Sequence, residues 1–254
     1  MEMHKVYLDR QEFKRLKNNK LTEPEKQELL LRNFIVPLRF NKTAYFNSIK
    51  ERHKDRPAIS TLYLLVTDAC NLDCRYCFIE PKIRELGKKT NMTEETAKKA
   101  IDLFSKTATD NPMVIFYGGE PLLNFEVIKF ATNYGKNKLM QPHFTIVTNG
   151  TLITNKIAKF FKKQEFNVGV SIDGRKNTHD KMRQYWKQGK GTYSDVRKGL
   201  RELIKAGVPF GASCTIGNHN KDCLNNEVKH LIAIGAKGIG FNLMHYCESN
   251  KPSV

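Results

Sequence analysis

The sequence lacks the segments that would carry it to or through a membrane. No apolar run approaches the ~20 residues that a membrane-spanning helix needs. The first residues, Met1–Lys5, contain no apolar core of the kind that a secretory signal carries. We therefore expect no membrane association and a location in the cytoplasm.

Cysteines are scarce and unevenly placed. The chain has six in 254 residues, at positions 70, 74, 77, 214, 223 and 247. Three are bunched and three are scattered, which is not the pattern of a disulfide framework in a small secreted domain. A reducing compartment suits such a chain, and the scattered Cys214, Cys223 and Cys247 lack the spacing of a metal site.

Acidic residues are the scarcer charge. Lys and Arg total 43 against 26 Asp and Glu, which gives a net charge of +17. The excess is spread along the chain, and no RNA-binding motif is visible, so nucleic acid is not an expected partner even though basic surfaces bind phosphate. A basic surface also attracts acidic peptides or an acidic electron-donor protein, and it can equally be solvated without any specific partner.

The bunched cysteines are the feature around which the chain is organised. Cys70, Cys74 and Cys77 follow a β-rich run, Thr61–Thr67. Three thiolates from one loop can hold three irons of a [4Fe–4S] cube, which needs four ligands, so one iron stays open to a non-protein ligand. Two alternatives remain at this point. One is a zinc site with a distant fourth ligand, although no second cysteine pair is present, and the other is packed thiols without metal.

From Ala58 onward the pattern of the sequence alternates between short strands and amphipathic helices. The predicted strands are Thr61–Thr67, Met113–Tyr117, His143–Thr148, Asn167–Ile172, Pro209–Ile216 and Gly238–Leu243. The predicted helices between them are Glu94–Lys106, Phe125–Lys138, Asn155–Lys163, Asp195–Ala206 and Leu224–Ile234. Repeated βα units predict an α/β fold with a parallel sheet, which either curves into a barrel or stays open.

Residues 1–58 look like a separate N-terminal appendage, and residues 59–254 form the predicted core. Within the appendage, Thr22 and Glu25 form a capping-box pattern, and Pro24 lies in the first turn. These signals predict a helix over Glu23–Arg32. Nothing in this segment indicates chemistry.

Polar motifs follow the predicted strands, and ligands of parallel α/β folds bind at the carboxyl ends of strands. After strand two come Gly118, Gly119 and Glu120. Paired glycines allow a ligand to approach the backbone closely, and a carboxylate can accept hydrogen bonds from an ammonium group. After strand three comes Asn149. Each motif could also be an ordinary turn.

Strand four is followed by Ser171 and Asp173, which should point the same way because they are two residues apart. A hydroxyl and a carboxylate on one face can hold ribose hydroxyls. Arg183 follows in a loop, where the simplest interpretation is a solvated surface residue. His245, after strand six, is either a ligand or base, or a structural histidine.

Taken in order, these motifs resemble the radical S-adenosylmethionine (AdoMet) enzymes. The motifs are CxxxCxxC with Tyr76 before its last cysteine, then GGEP, TNG, SIDG and HDxxR, and the resemblance covers residues 60–247. It is strongest to the branch of peptide maturases and anaerobic sulfatase-maturing enzymes. The resemblance implies a partial (β/α)6 TIM-like barrel, a [4Fe–4S] cluster on the three bunched cysteines, and AdoMet bound to the open iron.

The resemblance also implies roles for individual residues. Gly118, Gly119 and Glu120 would bind the amino group of AdoMet, and Asn149 would line the cavity. Ser171 and Arg183 would help to fix the carboxylate and ribose, beside Asp173. Tyr76 would lie near the adenine, and Leu243 would cover it. No catalytic side chain is assigned.

The implied activity is the reductive cleavage of AdoMet to a 5′-deoxyadenosyl radical, which abstracts hydrogen from a peptide or protein substrate, with crosslinking as one outcome. A flavodoxin or ferredoxin would be the reductant. The alternatives are a radical AdoMet enzyme that acts on RNA or on a small molecule, and a non-catalytic iron–sulfur accessory subunit of a split maturase.

The accessory alternative has a specific motive. Peptide maturases of this branch carry a C-terminal SPASM domain with auxiliary clusters, but this sequence ends at Val254, soon after Cys247. From the sequence we expect a core truncated after strand six, which could be a fragment, a natural short form or half of a split enzyme. Cys247 could be the first ligand of an auxiliary site or a plain thiol.

Overall fold

The computed structural model describes residues 20–31, 58–77, 90–186 and 188–244, and the single positions 15, 18, 41, 43, 44, 47 and 51. The chain divides into two compact units, Met1–Pro57 and Ala58–Val254. His245 and Cys247 lie outside the described residues. Among the residues described, no helix combines the length and the apolar character that crossing a bilayer requires.

The first unit contains the predicted capped helix. This helix, α1, spans Glu23–Leu31, and the predicted last residue, Arg32, lies outside the described residues. Oε2 of Glu25 accepts hydrogen bonds from the backbone N–H and the hydroxyl of Thr22, each over 2.7 Å. The capping box predicted from the sequence is therefore confirmed.

The second unit contains a parallel sheet and the helices that connect its strands. The strands are β1 (Ile59–Thr67), β2 (Ala108–Gly118), β3 (His143–Thr148), β4 (Asn167–Ser171), β5 (Phe210–Ile216) and β6 (Gly238–Leu243). The helices are α2 (Glu94–Phe104), α3 (Phe125–Lys138), α4 (Asn155–Gln164), α5 (Lys176–Met182), α6 (Tyr193–Lys205) and α7 (Leu224–Ala233). Short 3₁₀ turns lie at Pro121–Asn124 and Lys221–Cys223.

The six strands follow one another in chain order across the sheet, from β1 at one edge to β6 at the other, and every pairing is parallel. This is the α/β architecture of a partial (β/α)6 TIM-like barrel, as predicted. β5 and β6 end level with each other, since Ile216 pairs with Leu243, and β4 ends at Ser171 opposite Ser213, three residues before the end of β5. Residues that follow the strands are therefore brought together at one edge.

One face of the sheet packs against the helices and forms the core. Leu64 and Val66 of β1 are buried, whereas the alternate residues Tyr63 and Leu65 are 60% and 59% exposed. Phenylalanines dominate the centre of the core: Phe116, Phe144, Phe161 and Phe166. Truncating one of these rings to alanine typically costs about 3–5 kcal/mol.

Helix α5 was not predicted from the sequence, because its residues, KNTHDKM, carry no apolar periodicity. Polar contacts hold it instead. The hydroxyl of Thr178 donates to Oε1 of Glu227 in α7 over 2.9 Å, and Nη2 of Arg175 donates to the same oxygen over 2.8 Å. Glu227 is fully buried, so this carboxylate ties α5 to α7.

Candidate active site

The cysteine loop is fixed by a second loop, between α5 and α6. Leu72 forms an antiparallel bridge with Tyr185, the N–H of Asp73 donates to the carbonyl of Gln184 over 2.7 Å, and the N–H of Arg75 donates to the carbonyl of Met182 over 2.9 Å. These contacts pair the two loops as a short ribbon. They hold the cysteines at the carboxyl edge of the sheet, directly after β1.

The three thiols come from one short loop, and the cysteines of a cube each bind a different iron. Among the described residues, no group of three His, Cys, Asp or Glu side chains is arranged to hold a metal ion. The N–H of Leu72 also donates to Sγ of Cys70 over 3.4 Å, as amides around sulfur ligands commonly do.

Cys74 lies in an environment that opposes a free thiolate. Burial raises the pKa of Cys74 to about 12, and the positive charge of Arg183 opposes that rise. A coordinating metal deprotonates such a thiol outright. The protein therefore supplies a protonated sulfur that would give up its proton on binding iron.

The paired glycines are required by contacts between backbones. The N–H of Gly119 donates to the carbonyl of Thr67 over 2.9 Å, and that of Glu120 to the carbonyl of Ala69 over 2.8 Å. A Cβ added to Gly118 would lie 2.1 Å from the Thr67 oxygen, and one added to Gly119 would lie 2.3 Å from the Ala69 oxygen. Glycine thus lets the end of β2 touch the start of the cysteine loop.

Glu120 points into the protein. Its Oε1 accepts hydrogen bonds from Leu122 N and Thr148 Oγ1 over 3.1 and 2.7 Å, and its Oε2 accepts one from Asn149 N over 2.7 Å. Burial raises the pKa of Glu120 to about 7 in spite of these bonds. The carboxylate is fully buried and braces the ends of β2 and β3.

Asn149 links the end of β3 to the cysteine loop. Its Nδ2 donates to Oδ1 of Asn71 over 2.8 Å, and Nδ2 of Asn71 donates to the hydroxyl of Thr151 over 2.9 Å. Asn149 itself is buried. The TNG segment therefore lies against the cysteine loop.

Asp173 is the centre of a buried polar network. Its Oδ2 accepts from the Tyr76 hydroxyl over 2.6 Å and from Nε of Arg183 over 3.0 Å. Its Oδ1 accepts from Nη2 of Arg183 over 3.2 Å and from the N–H of Thr215 over 3.0 Å. Burial acts to raise the pKa of Asp173, but the charge of Arg183, together with that of His179 and the hydrogen bonds from Tyr76 and Arg183, holds the pKa below its usual value. These four hydrogen bonds occupy the positions that we predicted for ribose hydroxyls.

Arg183 is buried, with 8% of its side chain exposed, so its interpretation as a solvated surface residue is wrong. Two of its three nitrogens bind Asp173, and the third, Nη1, lies 4.0 Å from Sγ of Cys74. Its guanidinium carbon lies 5.3 Å from the centre of the Tyr76 ring. The predicted site residues Tyr76, Asp173 and Arg183 therefore meet beside a cysteine of the loop.

The other residues of the HDxxR segment support this network. Nδ1 of His179 accepts from the N–H of Asp173 over 3.4 Å, and its Nε2 lies 2.9 Å from the hydroxyl of Thr192. Oδ1 of Asp180 accepts from the N–H of Tyr193 over 2.8 Å, at the start of α6. Burial lowers the pKa of His179 to about 4, so its ring is neutral near pH 7.

Ser171 and Leu243 end their strands at the same edge but outside this network. Ser171 is half-buried at the end of β4. Leu243 is 71% exposed, and the strand alternation places it on the opposite face of β6 from Asn242, whose Nδ2 donates to Ser213 Oγ over 2.9 Å. Both residues keep their predicted positions at strand ends, and their roles stay predictions.

His219, which follows β5, was not predicted. Its ring stacks on Tyr76 with 6.0 Å between centroids, and its Nε2 lies 4.0 Å from Oδ2 of Asp173. Both ring nitrogens are buried, and within the described part of the chain neither makes a hydrogen bond of good geometry, although a weak contact with the Thr215 backbone acts to raise the pKa. Burial lowers the pKa of His219, which favours the neutral ring. Its position directly after β5 could have identified it, because ligands bind at the carboxyl ends of parallel strands. The sequence prediction assigned no motif to that strand end.

Unpaired buried nitrogens are rare in folded proteins and call for a polar partner. Those of His219 lie next to Tyr76 and Asp173, at the edge where the strand ends meet. A polar ligand held beside the cysteine loop would supply that partner. The donor set and the unpaired nitrogens therefore fit a cluster with a polar ligand on its open side.

Comparison with known proteins agrees with a cluster site of this kind. The family model of the Radical SAM superfamily matches residues 64–231. An uncharacterized protein of Methanocaldococcus jannaschii is 40% identical over 186 residues, which are 72% of this chain and 62% of that protein. A serine-type anaerobic sulfatase-maturating enzyme of Bacteroides thetaiotaomicron is 33% identical over 178 residues, 65% of this chain and 42% of that enzyme.

A solved structure of native anSMEcpe with bound AdoMet and Cp18Cys peptide is also similar. It superposes with a TM-score of 0.65 at 26% identity, over 73% of this chain and 50% of that one. The chain thus spans between 42% and 62% of the length of these three proteins.

Proposed function

The chain belongs to the radical SAM superfamily, and we propose that it is an enzyme that reductively cleaves AdoMet and abstracts a hydrogen atom from a peptide substrate. The cofactors of the family are a [4Fe–4S] cluster and AdoMet, and similar solved structures hold AdoMet. When bound, these groups supply the electron transfer and the 5′-deoxyadenosyl radical, chemistry that no side chain carries.

One observation supports this proposal more than any other. Tyr76, Asp173 and Arg183 form a buried polar network against Sγ of Cys74, at the carboxyl edge of a parallel sheet. A structural metal site is fully coordinated by side chains and needs no polar network beside it for a further ligand. We propose that Cys70, Cys74 and Cys77 hold the cluster and that the network faces AdoMet.

The backbone of the paired glycines is proposed to bind the amino group of AdoMet. An ammonium is a donor, so the backbone groups that can bind it are carbonyl oxygens. The N–H groups of Gly119 and Glu120 donate to the carbonyls of Thr67 and Ala69. Among the contacts of the described residues, Oε2 of Glu120 accepts a single hydrogen bond, so it retains capacity for one more.

The remaining AdoMet contacts are proposed to come from the ends of β3 to β6. Ser171 and Arg183 would fix the carboxylate and ribose, and Tyr76 would lie against the adenine. Asp173 would act by orienting Tyr76 and Arg183, since its oxygens already accept four hydrogen bonds. Asn149 would close the cavity, and Leu243 would cover the base.

A peptide is the proposed substrate because a sulfatase-maturating enzyme and a peptide-bound structure are among the similar proteins. The sheet face opposite the helices offers an apolar surface for it. Tyr63, Leu65 and Met113 are exposed there, at 60%, 59% and 36%. Crosslinking within the peptide is the first modification to test.

The proposed reductant is a flavodoxin or ferredoxin of the cytoplasm. Arg75, in the cysteine loop, and Lys181, beside it, are both exposed, and the chain carries a net charge of +17. An acidic electron donor would be attracted to such a surface, and the attraction would weaken with salt.

The test is anaerobic reconstitution with iron, sulfide, dithionite and AdoMet, followed by mass spectrometry of the products. We expect 5′-deoxyadenosine from the wild-type chain and none from Cys74→Ser. A deuterated peptide, encoded by a short reading frame beside the gene, should pass deuterium into 5′-deoxyadenosine. Cleavage of AdoMet without transfer of deuterium from the peptide would favour an RNA or small-molecule substrate. A reduced cluster that cleaves no AdoMet would favour an accessory subunit.

A further inference from the structure

The guanidinium of Arg183 is held between a carboxylate and a cysteine sulfur. Nε and Nη2 face Asp173 over 3.0 and 3.2 Å, and Nη1 lies 4.0 Å from Sγ of Cys74. The side chains of Arg183 and Asp173 are 8% and 0% exposed. A surface arginine samples many positions, whereas this one is kept in place by two hydrogen bonds and by the ring of Tyr76.

In the ion pair of Arg183 and Asp173, the guanidinium is the group that faces Cys74. Arg183 contacts Sγ of Cys74 through its free nitrogen, while the Asp173 oxygens lie on the other side of the guanidinium. The local field therefore favours added negative charge at this sulfur.

We infer that Arg183, oriented by Asp173, raises the reduction potential of the cluster through Cys74. This inference rests on the proposed function, in which Cys74 is a cluster ligand. Reduction adds one electron from a low-potential donor to the oxidised cluster and breaks no bond. A fixed cation and an N–H group beside a ligand sulfur stabilise the added charge, as net charge and hydrogen bonds to the sulfurs do for iron–sulfur clusters generally.

The role is separate from any contact between Arg183 and AdoMet, because it operates in the cluster without AdoMet. It also predicts opposite effects for the two partners. Removing the cation should make the cluster harder to reduce. Removing the anion behind it should make the cluster easier to reduce, since the positive charge of Arg183 is then less neutralised.

The test is an EPR-monitored redox titration of the reconstituted chain in the absence of AdoMet. At the wild-type midpoint, Arg183→Gln should lower the ratio of reduced to oxidised cluster about tenfold, which corresponds to ~59 mV for a one-electron couple. Asp173→Asn removes the negative charge but keeps one side-chain oxygen that can accept from the guanidinium, and the Tyr76 ring still packs against it, so this variant should raise the same ratio. The double variant should lie near the wild type. Lys181→Gln removes an exposed cation two positions away and should change the ratio less than twofold.

Arg183→Lys keeps the charge but loses the bidentate hydrogen bonding to Asp173, so we expect an intermediate shift of the midpoint. If Arg183→Gln binds no iron, Arg183→Lys is used in its place. The inference is overturned if Arg183 variants with a full iron and sulfide content keep the wild-type midpoint. It is also overturned if the Asp173 and Arg183 variants shift the midpoint in the same direction. Failure of the proposed function would look different, because the wild type itself would then lack the cluster or release no 5′-deoxyadenosine.

Discussion

The hydroxyl of Tyr76 donates to Oδ2 of Asp173 over 2.6 Å, although 97 positions separate the two residues in the chain. The bond joins the cysteine loop after β1 to the segment after β4. It therefore ties the cysteine loop to the strand ends, and it places an aromatic ring in contact with both Arg183 and His219.

Tyr76→Phe removes this hydrogen bond and keeps the ring. Because a buried carboxylate then loses one of its four donors, we expect the free energy of unfolding to fall by about 1–3 kcal/mol. Tyr63→Phe is the matched control, since that tyrosine is 60% exposed, and it should change stability by less than about 0.5 kcal/mol. Anaerobic urea unfolding measures both, and equal losses in the two variants would contradict the importance of the buried bond.

Gly119→Ala should disrupt the contact between β2 and the cysteine loop. The new Cβ would lie 2.3 Å from the Ala69 oxygen, which belongs to the backbone and cannot move aside cheaply. We expect a loss of about 3 kcal/mol or more in stability, together with poor iron incorporation. Gly240→Ala in β6 serves as control, because nothing lies within 4 Å of its added Cβ. Normal iron binding by the Gly119 variant would show that the close contact is dispensable.

Glu120 should make stability depend on pH. Its pKa is raised from 4.5 to about 7, so the folded chain binds this proton more tightly than the unfolded chain does. The stabilisation is complete below pH 4.5 and is lost as pH rises to 7, by about 3 kcal/mol in all. Glu120→Gln should flatten the fall in unfolding free energy between pH 5 and 7. Glu165→Gln, at an exposed glutamate, should keep the wild-type slope, and an unchanged slope in both would refute the assignment.

Glu120 also carries a prediction about the cofactors. Glu120→Ala should weaken AdoMet binding while leaving iron content intact, because the hydrogen bonds of the carboxylate go to Leu122, Thr148 and Asn149 and brace β2 and β3. Equilibrium dialysis with AdoMet and an iron assay on the same preparation measure the two effects. Loss of iron in parallel with AdoMet would mean that the residue supports the cluster site instead.

His219→Phe separates a ligand contact from a structural role. Phenylalanine keeps the stacking on Tyr76 and removes two buried nitrogens that lack partners, so the cluster-free chain should be no less stable than the wild type. The rise in melting temperature on adding AdoMet to the reconstituted enzyme should nevertheless shrink. His143→Phe is the exposed control. Full stabilisation of the His219 variant by AdoMet would exclude a contact with the cofactor.

The sequence was sufficient to predict the fold because strands and helices differ in their apolar period. Among the described residues of the second unit, all six strands and five of the six helices lie where the pattern predicted them, within about five residues. Helix α5 was missed because its contacts are polar and come from Glu227, 45 or more positions away in the chain. Local periodicity carries no signal for such a helix.

The site was predicted in outline for a similar reason. Parallel strands bring their carboxyl ends together, so motifs after β1 to β4 had to share one edge. The side-chain directions could not be predicted, because they depend on partners distant in the chain. From the sequence, Arg183 could be a solvated residue, but the structure shows that it is buried. Gly119 was explained by a ligand, whereas the structure shows a close backbone contact. His219 was not considered, and the structure shows a buried ring without a hydrogen-bond partner among the described residues.

In the proposed function, three cysteines hold a cube whose fourth iron is open to AdoMet. The decisive measurement is Mössbauer spectroscopy of the chain reconstituted with ⁵⁷Fe. We expect added AdoMet to change the signal of one iron in four and to leave the three thiolate-ligated irons unchanged. Four irons that are all indifferent to AdoMet, with a further side chain on the fourth, would contradict it.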